Sequence, residues 1–207
     1  MILTSPVLPD KSKTGLSPTA VVLPPDQVAV QTRCFDATIA MLGGFRGKSE
    51  LIGPVVETYL NYYQRLYDEK GSHKFLIVMF PQSLETGEAY SSSYVHVSPD
   101  VPTIDNRAGW SGIIAHELGH FWIGKKISAK SWSTSQWFSE GATEYLSTLA
   151  MLRCGEISKQ QFRDIIQRNV EFYILFKKGR PFESVSLVEA GSNKSANNVA
   201  IYNGGWL

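Results

Sequence analysis

Two histidines four residues apart, with a glutamate directly after the first, constrain this chain more than any other feature. The stretch IIAHELGHFWIG, residues 113–124, carries His116, Glu117 and His120 in an otherwise apolar run. Residues four apart on a helix are offset by about 40° net and stack one turn above the other, so the two imidazoles project together. Trp110, Ile114, Leu118 and Phe121 form a continuous apolar stripe beside them, and the spacing predicts a helix over about residues 107–126 with that stripe as its core face. Glu117 points between the two directions, where it can meet a group held by the imidazoles. The same pattern also arises on the polar edge of an ordinary amphipathic helix, so it needs a partner before it means chemistry.

A catalytic zinc takes three protein ligands and leaves the fourth position to water, which calls for one further His, Asp or Glu. SQWFSEGATEYLSTLAMLRCG, residues 135–155, reads as a second helix with Phe138, Ala142, Tyr145, Leu149 and Leu152 apolar and Gly155 as its stop. Glu140 and Glu144 near its start share a face, so that one can ligate a metal while the other holds a ligand imidazole by hydrogen bond. Nineteen residues separate His120 from Glu140, enough for a turn and an antiparallel return.

The rest of the chain narrows the function classes. With 20 Lys+Arg against 19 Asp+Glu and no long basic run, there is no electrostatic footprint for nucleic acid or an anionic membrane, while neutral or peptide-like substrates remain open. Cys34 and Cys154 form no CxxC pair and read as buried thiols. No apolar run approaches the roughly 20 residues that span a bilayer, and MILTSPVLPD lacks the basic start and apolar core of a signal peptide, so the default expectation is a soluble, cytoplasmic chain.

Five of the ten prolines fall in the first 25 residues, which predicts an irregular arm over residues 1–26. Leu51, Val55, Val56, Tyr59, Leu60, Tyr63 and Leu66 recur at helical spacing over residues 50–68, with Gly71 closing the element. KFLIVMF follows as a buried strand, and SSSYVHVS as a further strand with Tyr94 and His96 on one face and Val95 and Val97 on the other. His73, in a turn, and His96, on a half-exposed strand face, read as solvent or packing residues, and the tryptophans as core. SKQQ from Ser158 is a capping-box signal for a long helix, in which Phe162, Ile165, Ile166, Val170, Tyr173 and Phe176 mark one buried face.

HELGHFWIGKKI followed by WFSEGATEYLS resembles the gluzincin clan of zinc metallopeptidases, to which thermolysin and the leucyl and alanyl aminopeptidases belong. LRCGEISKQQF, SVSLVEAG and the terminal IYNGGWL follow in the order shown by the glycyl aminopeptidase family, and the likeness covers roughly residues 75–207. The resemblance implies an α+β, thermolysin-like catalytic domain. A small mixed-sheet lobe, residues 27–130, would end in the HExxH helix, a helical lobe would follow over residues 131–207, and the unit would be shortened at its C-terminus. It implies Zn2+ held by His116, His120 and Glu140, Glu117 as general base, and Glu144 behind a ligand imidazole. In YNGG, Tyr202 takes the place of a tyrosine that donates to the tetrahedral oxyanion, with Gly204 where the family has lysine. TGEAYSSS resembles a divergent copy of the segment whose glutamate holds a substrate's free amine, which makes Glu88 the amine anchor; a solvated loop glutamate is the alternative reading.

The expected function is therefore zinc-dependent hydrolysis of peptide bonds at the amino terminus. A zinc endopeptidase, another zinc hydrolase acting on an ester or epoxide, and a zinc-retaining module without turnover stay open. Glu117 speaks against the last, because a purely structural site closes its fourth position and has no use for a free carboxylate beside it.

Overall fold

Five strands within residues 26–98 pair into one sheet, each with side chains alternating between its two faces at the two-residue period of a strand. The computed structural model describes residues 26–131, 133–179 and 186–206. Strands β1 (Asp26–Gln31), β2 (Phe35–Met41), β3 (His73–Pro81), β4 (Thr86–Ala89) and β5 (Ser93–Ser98) lie in the order β1-β2-β3-β5-β4. The inner three are parallel and the two outer ones antiparallel to their neighbours, so the sheet is mixed. Helix α1 (Ser49–Leu66) supplies the crossover from β2 to β3 that a parallel pair requires. The helices α2 (Arg107–Gly119), α3 (Thr143–Cys154), α4 (Lys159–Gly179), α5 (Leu187–Ala190) and α6 (Lys194–Tyr202) follow the sheet.

Register builds the core. Ile39 pairs with Ile77 and Ile77 with Tyr94, while Met41 pairs with Met79 and Met79 with His96, giving two rows across one face of the sheet. All six side chains are fully buried. Ile39, Met41, Ile77, Met79 and Tyr94 share one hydrophobic cluster with Ile52, Val56, Tyr59 and Tyr63 of α1, Trp110, Ile114 and Leu118 of α2, and Ala150 and Met151 of α3. Each such apolar side chain contributes roughly 1.5–3 kcal/mol on burial, and the cluster ties the second half of the chain to the sheet.

Several expectations are corrected. KFLIVMF is buried on one face only: Phe75, Ile77 and Met79 point into the core, whereas Leu76 is 43% exposed, with no described element packed over it. Asp68 in the left-handed region (φ 48°), and not Gly71, follows the end of α1. His96 is fully buried, and burial lowers its imidazole to about 4, so it sits neutral beneath the sheet beside Phe45. His73 opens β3 and hydrogen-bonds Glu69. Along α4, Phe162, Ile165, Ile166, Val170 and Tyr173 are only half-buried, since few elements pack on that helix; the side chain of Phe176 lies outside the described residues. Cys34 is a buried thiol as expected, but Cys154 is half-buried. Trp110 and Trp122 are core, Trp137 is half-buried, and Trp132 and the side chain of Trp206 lie outside the described residues. The arm expected over residues 1–26 also lies outside them, apart from Asp26, which starts β1.

Local signals otherwise hold. Gly155 caps α3 in the left-handed region (φ 81°), and Ser158 and Gln161 make the reciprocal capping pair at the start of α4, at 3.2 and 2.8 Å. No helix among the described residues is long and apolar enough to cross a membrane.

Candidate metal centre and cleft

The HExxH helix ends earlier than its apolar stripe predicts. α2 stops at Gly119, His120 caps it, and the chain folds back through residues 121–123 onto Gly124, which adopts φ 88°. Ile127 N then donates to Trp122 O and Gly124 N to Ile127 O, at 2.7 and 2.9 Å. This reversal has a use. In a continued helix the Ile123 carbonyl would point along the axis, whereas here it accepts a hydrogen bond from His120 Nδ1 at 3.2 Å. A carbonyl can only accept, so Nδ1 carries the hydrogen and Nε2 is left as a lone pair facing inward.

The partner helix is also irregular where it meets the site. Residues Trp137–Ala142 form a π-helical turn that runs directly into α3. Such wide turns recur at functional sites because they redirect one side chain without breaking the helix. Here Glu140 faces the imidazoles and Glu144 stands behind them. Gly141 lets another backbone approach: a Cβ there would lie 2.7 Å from both Ile201 O and the Gly205 Cα. That contact seats α6 against the turn and brings the Tyr202 ring to 6.2 Å from the His116 ring.

Three donors converge. His116 Nε2 and His120 Nε2 are 3.0 Å apart, and Glu140 Oε2 lies 3.4 Å from each. Ligands on a tetrahedral zinc at bond lengths of ~2.0–2.1 Å stand about 3.3 Å from one another, so the spacing suits that ion. Glu144 Oε2 accepts from His116 Nδ1 at 3.0 Å, as the carboxylate behind a ligating imidazole does. Two imidazole nitrogens approach this closely only with a cation between them, either a proton or a metal ion. Burial alone would lower the His116 imidazole, but Glu140 and Glu144 outweigh it and push it up to about 10, so without an ion a proton fills that place. Burial likewise raises the Glu140 carboxyl, and His116, His120 and Lys194 reverse this and hold it well below the usual carboxylate range. The cluster is a receptor for positive charge.

Glu117 is 7% exposed, and burial raises its carboxyl, the direction that suits a proton acceptor working near neutral pH. Its carboxylate packs under Gly87 of the edge strand β4, where any side chain would overlap it. Together β4, α2, α3 and α6 enclose a cleft of about 830 Å3 that is lined by Glu117, His116, His120, Glu140, Glu144 and Tyr202. Glu88, exposed on β4, lines it as well, next to Tyr90. Burial raises the Tyr202 hydroxyl first, and the Glu140 carboxylate adds to this, so the phenol stays protonated and can donate.

Residues 53–189 match the peptidase family M1 domain, well over half of the chain. This chain belongs to peptidase family M1. Among curated proteins, Leucine aminopeptidase 2 of Phaeosphaeria nodorum is 32% identical over 73 residues, which is 35% of this chain and 11% of that protein. Among solved structures, the aminopeptidase N family protein of Idiomarina loihiensis superposes with a TM-score of 0.61 at 14% identity, over 71% of this chain and 28% of that one. The chain thus spans only a small part of the relatives it matches. The M1 domain and the superposition establish an α+β, thermolysin-like gluzincin fold, with the mixed sheet on one side and the helices that carry the donors on the other.

Sequence reasoning missed three parts of this site. Lys194 Nζ donates to Glu140 Oε1 at 2.6 Å and stands 5.3 Å over the Tyr202 ring. Its only sequence signal is that it precedes Tyr202 by eight residues, and α6 is kinked at Asn197 between them. Gly87 was readable solely as part of TGEA. The Ile123 carbonyl carries no side-chain signal at all.

Proposed function

We propose that this M1 chain is the catalytic core of a zinc-dependent peptidase that acts at amino termini. The observation that carries the reading is the convergence of His116 Nε2, His120 Nε2 and Glu140 Oε2, within 3.4 Å of one another, beside the buried Glu117 in an open cleft. In this reading those three side chains hold the ion and Glu144 fixes His116. A bound zinc supplies Lewis-acid polarisation of water and of the scissile carbonyl.

Glu117 takes a proton from water in the cleft and returns it to the departing amine, which otherwise leaves poorly. The Tyr202 hydroxyl donates to the oxygen on which charge develops. Glu88, across the cleft on β4, accepts from the substrate's free ammonium, and the acidic lining formed by Glu85, Glu88 and Glu144 favours such a cation. The substrate lies between a sheet lobe, residues 27–130, and a helical lobe, residues 131–207.

The test combines metal analysis with a panel of aminoacyl and acetyl-blocked peptide reporters. One zinc per chain and preferential cleavage of free-amine reporters are expected. Glu88→Ala should cost free-amine substrates about 5–150-fold while leaving blocked ones unaffected, the cost of an unpaired charge. Tyr202→Phe should slow turnover roughly 10²-fold. Equal cleavage of free and blocked peptides, unchanged by Glu88→Ala, replaces the aminopeptidase with an endopeptidase; cleavage of esters or epoxides alone makes it another hydrolase.

A further inference from the structure

A carboxylate that ligates a metal can offer one oxygen or two, and the choice decides whether a position stays free for water and substrate. A catalytic centre with three protein ligands works because the fourth place is open, and a second carboxylate oxygen would take it. Nothing in the HExxH pattern determines this choice. In the structure it is made by a residue from another part of the chain: Lys194, at the start of α6, holds Glu140 Oε1 at 2.6 Å, while Glu140 Oε2 alone faces the two imidazole nitrogens, at 3.4 Å from each. We propose that Lys194 is a positioning residue that occupies the outer oxygen of Glu140, restricts that glutamate to a single ligating oxygen and so keeps one metal position open. The proposal rests on the zinc-site reading above.

Three observations support it. The contact is a charge-assisted hydrogen bond between a carboxylate that is only 7% exposed in its side chain and an ammonium that is 41% exposed, so Lys194 reaches in from the cleft rim and loses little hydration on doing so. The Lys194 ammonium also lies 5.3 Å over the Tyr202 ring, a cation–π contact that steadies it from the other side. Finally, Glu140 sits in the π-helical turn Trp137–Ala142, an irregularity of the kind that recurs at functional sites, so its carboxylate is aimed by its contacts and not by a regular helical period. The two imidazole nitrogens stand 3.4 Å from Oε2, and Lys194 holds Oε1.

Lys194 touches none of the reacting atoms, so its role is read at the metal and not through activity alone. The probe is cobalt(II) loaded into the native chain, Lys194→Met and Lys194→Arg, because the visible absorption of cobalt(II) weakens markedly as ligands are added beyond four. All three should bind about one cobalt per chain. Lys194→Met, which keeps the aliphatic stem and removes the donor, should show several-fold weaker absorption and a turnover reduced by about 10–100-fold, as for loss of a partner that orients a ligand. Lys194→Arg, which keeps a cationic donor, should return the spectrum most of the way to native. A Lys194→Met chain with the native spectrum overturns the proposal and leaves the zinc reading standing. So does one that no longer takes up cobalt, since Lys194 would then build the site instead of choosing the oxygen. A native chain that takes up no cobalt overturns both.

Discussion

Glu69 and Glu140 are both buried glutamates, each touched by a lysine and by histidine, yet they do opposite work. Glu69, 8% exposed, lies at the junction of α1, β3 and the turn after α2. One of its oxygens accepts from His73 Nε2 and Gly71 N at 3.1 and 3.0 Å, and the other from Trp122 Nε1 at 3.0 Å and from Lys126. Every neighbour is a donor, and the carboxylate is saturated. Around Glu140 the neighbours of Oε2 are two imidazole nitrogens, of which His120 Nε2 presents a lone pair, and the group opens on a cleft. The same residue types therefore give a closed cross-link in one place and a receptor for a cation in the other. What separates them is the direction in which each hydrogen points.

The sharpest test of that contrast is Glu117→Gln beside the open cluster. The amide keeps the shape but accepts no proton, so turnover should fall by about 10²–10⁴-fold while metal content and unfolding midpoint stay native. Unchanged turnover at full metal occupancy would remove Glu117 from the chemistry.

Glu69→Ala should do the reverse. It leaves Lys126, Trp122 and His73 without their shared acceptor and should cost on the order of 3 kcal/mol of stability in denaturant unfolding, with metal stoichiometry intact. Loss of metal from the folded Glu69→Ala chain would dissolve the distinction between the two glutamates.

Acid separates the buried groups further. The His96 imidazole is lowered by burial from 6.5 to about 4, so its contribution is complete above pH 6.5 and is lost as pH falls toward 4, by up to about 3 kcal/mol. Burial raises the Glu69 carboxyl, but its donors Lys126, His73, Gly71 and Trp122 prevail and hold it at about 2 against 4.5 unperturbed, so its share survives down to pH 4.5 and fades toward pH 2. Stability followed from pH 7 to 3 should thus drop in two stages, and His96→Leu should flatten the first. A single drop below pH 4.5 in the native chain would contradict the buried, neutral His96.

The smallest expected effect is that of Glu144→Ala, which frees the His116 ring without removing a donor: metal affinity should weaken by about 10–100-fold. A loss as complete as that of His120→Ala would put Glu144 among the ligands themselves.

The parts of this molecule legible in its sequence are those set within one or two turns of chain. The four-residue spacing of His116 and His120 and that of Glu140 and Glu144 put each pair on one helix face whatever surrounds it, because the helical period is a backbone property. The apolar stripe from Trp110 to Phe121, the Gly155 stop and the Ser158–Gln161 cap are local in the same sense. The helix end is not legible in the same way, because Phe121, Trp122 and Ile123 continue the apolar pattern, while the stop comes from a left-handed Gly124 and a chain reversal that Ile127 completes. β1, β2 and β4 carry weak periodicity, and their pairing joins residues far apart, such as Phe35 with His73.

Tertiary structure alone decided which lone pairs meet. It turned the Ile123 carbonyl to His120, set Gly87 on Glu117, and brought Lys194 across 54 residues to the outer oxygen of Glu140. Sequence determined that a cation-binding set of side chains exists, since residue type and helical spacing suffice for that. Its openness depends on the direction of individual hydrogen bonds between distant segments, which no local period encodes.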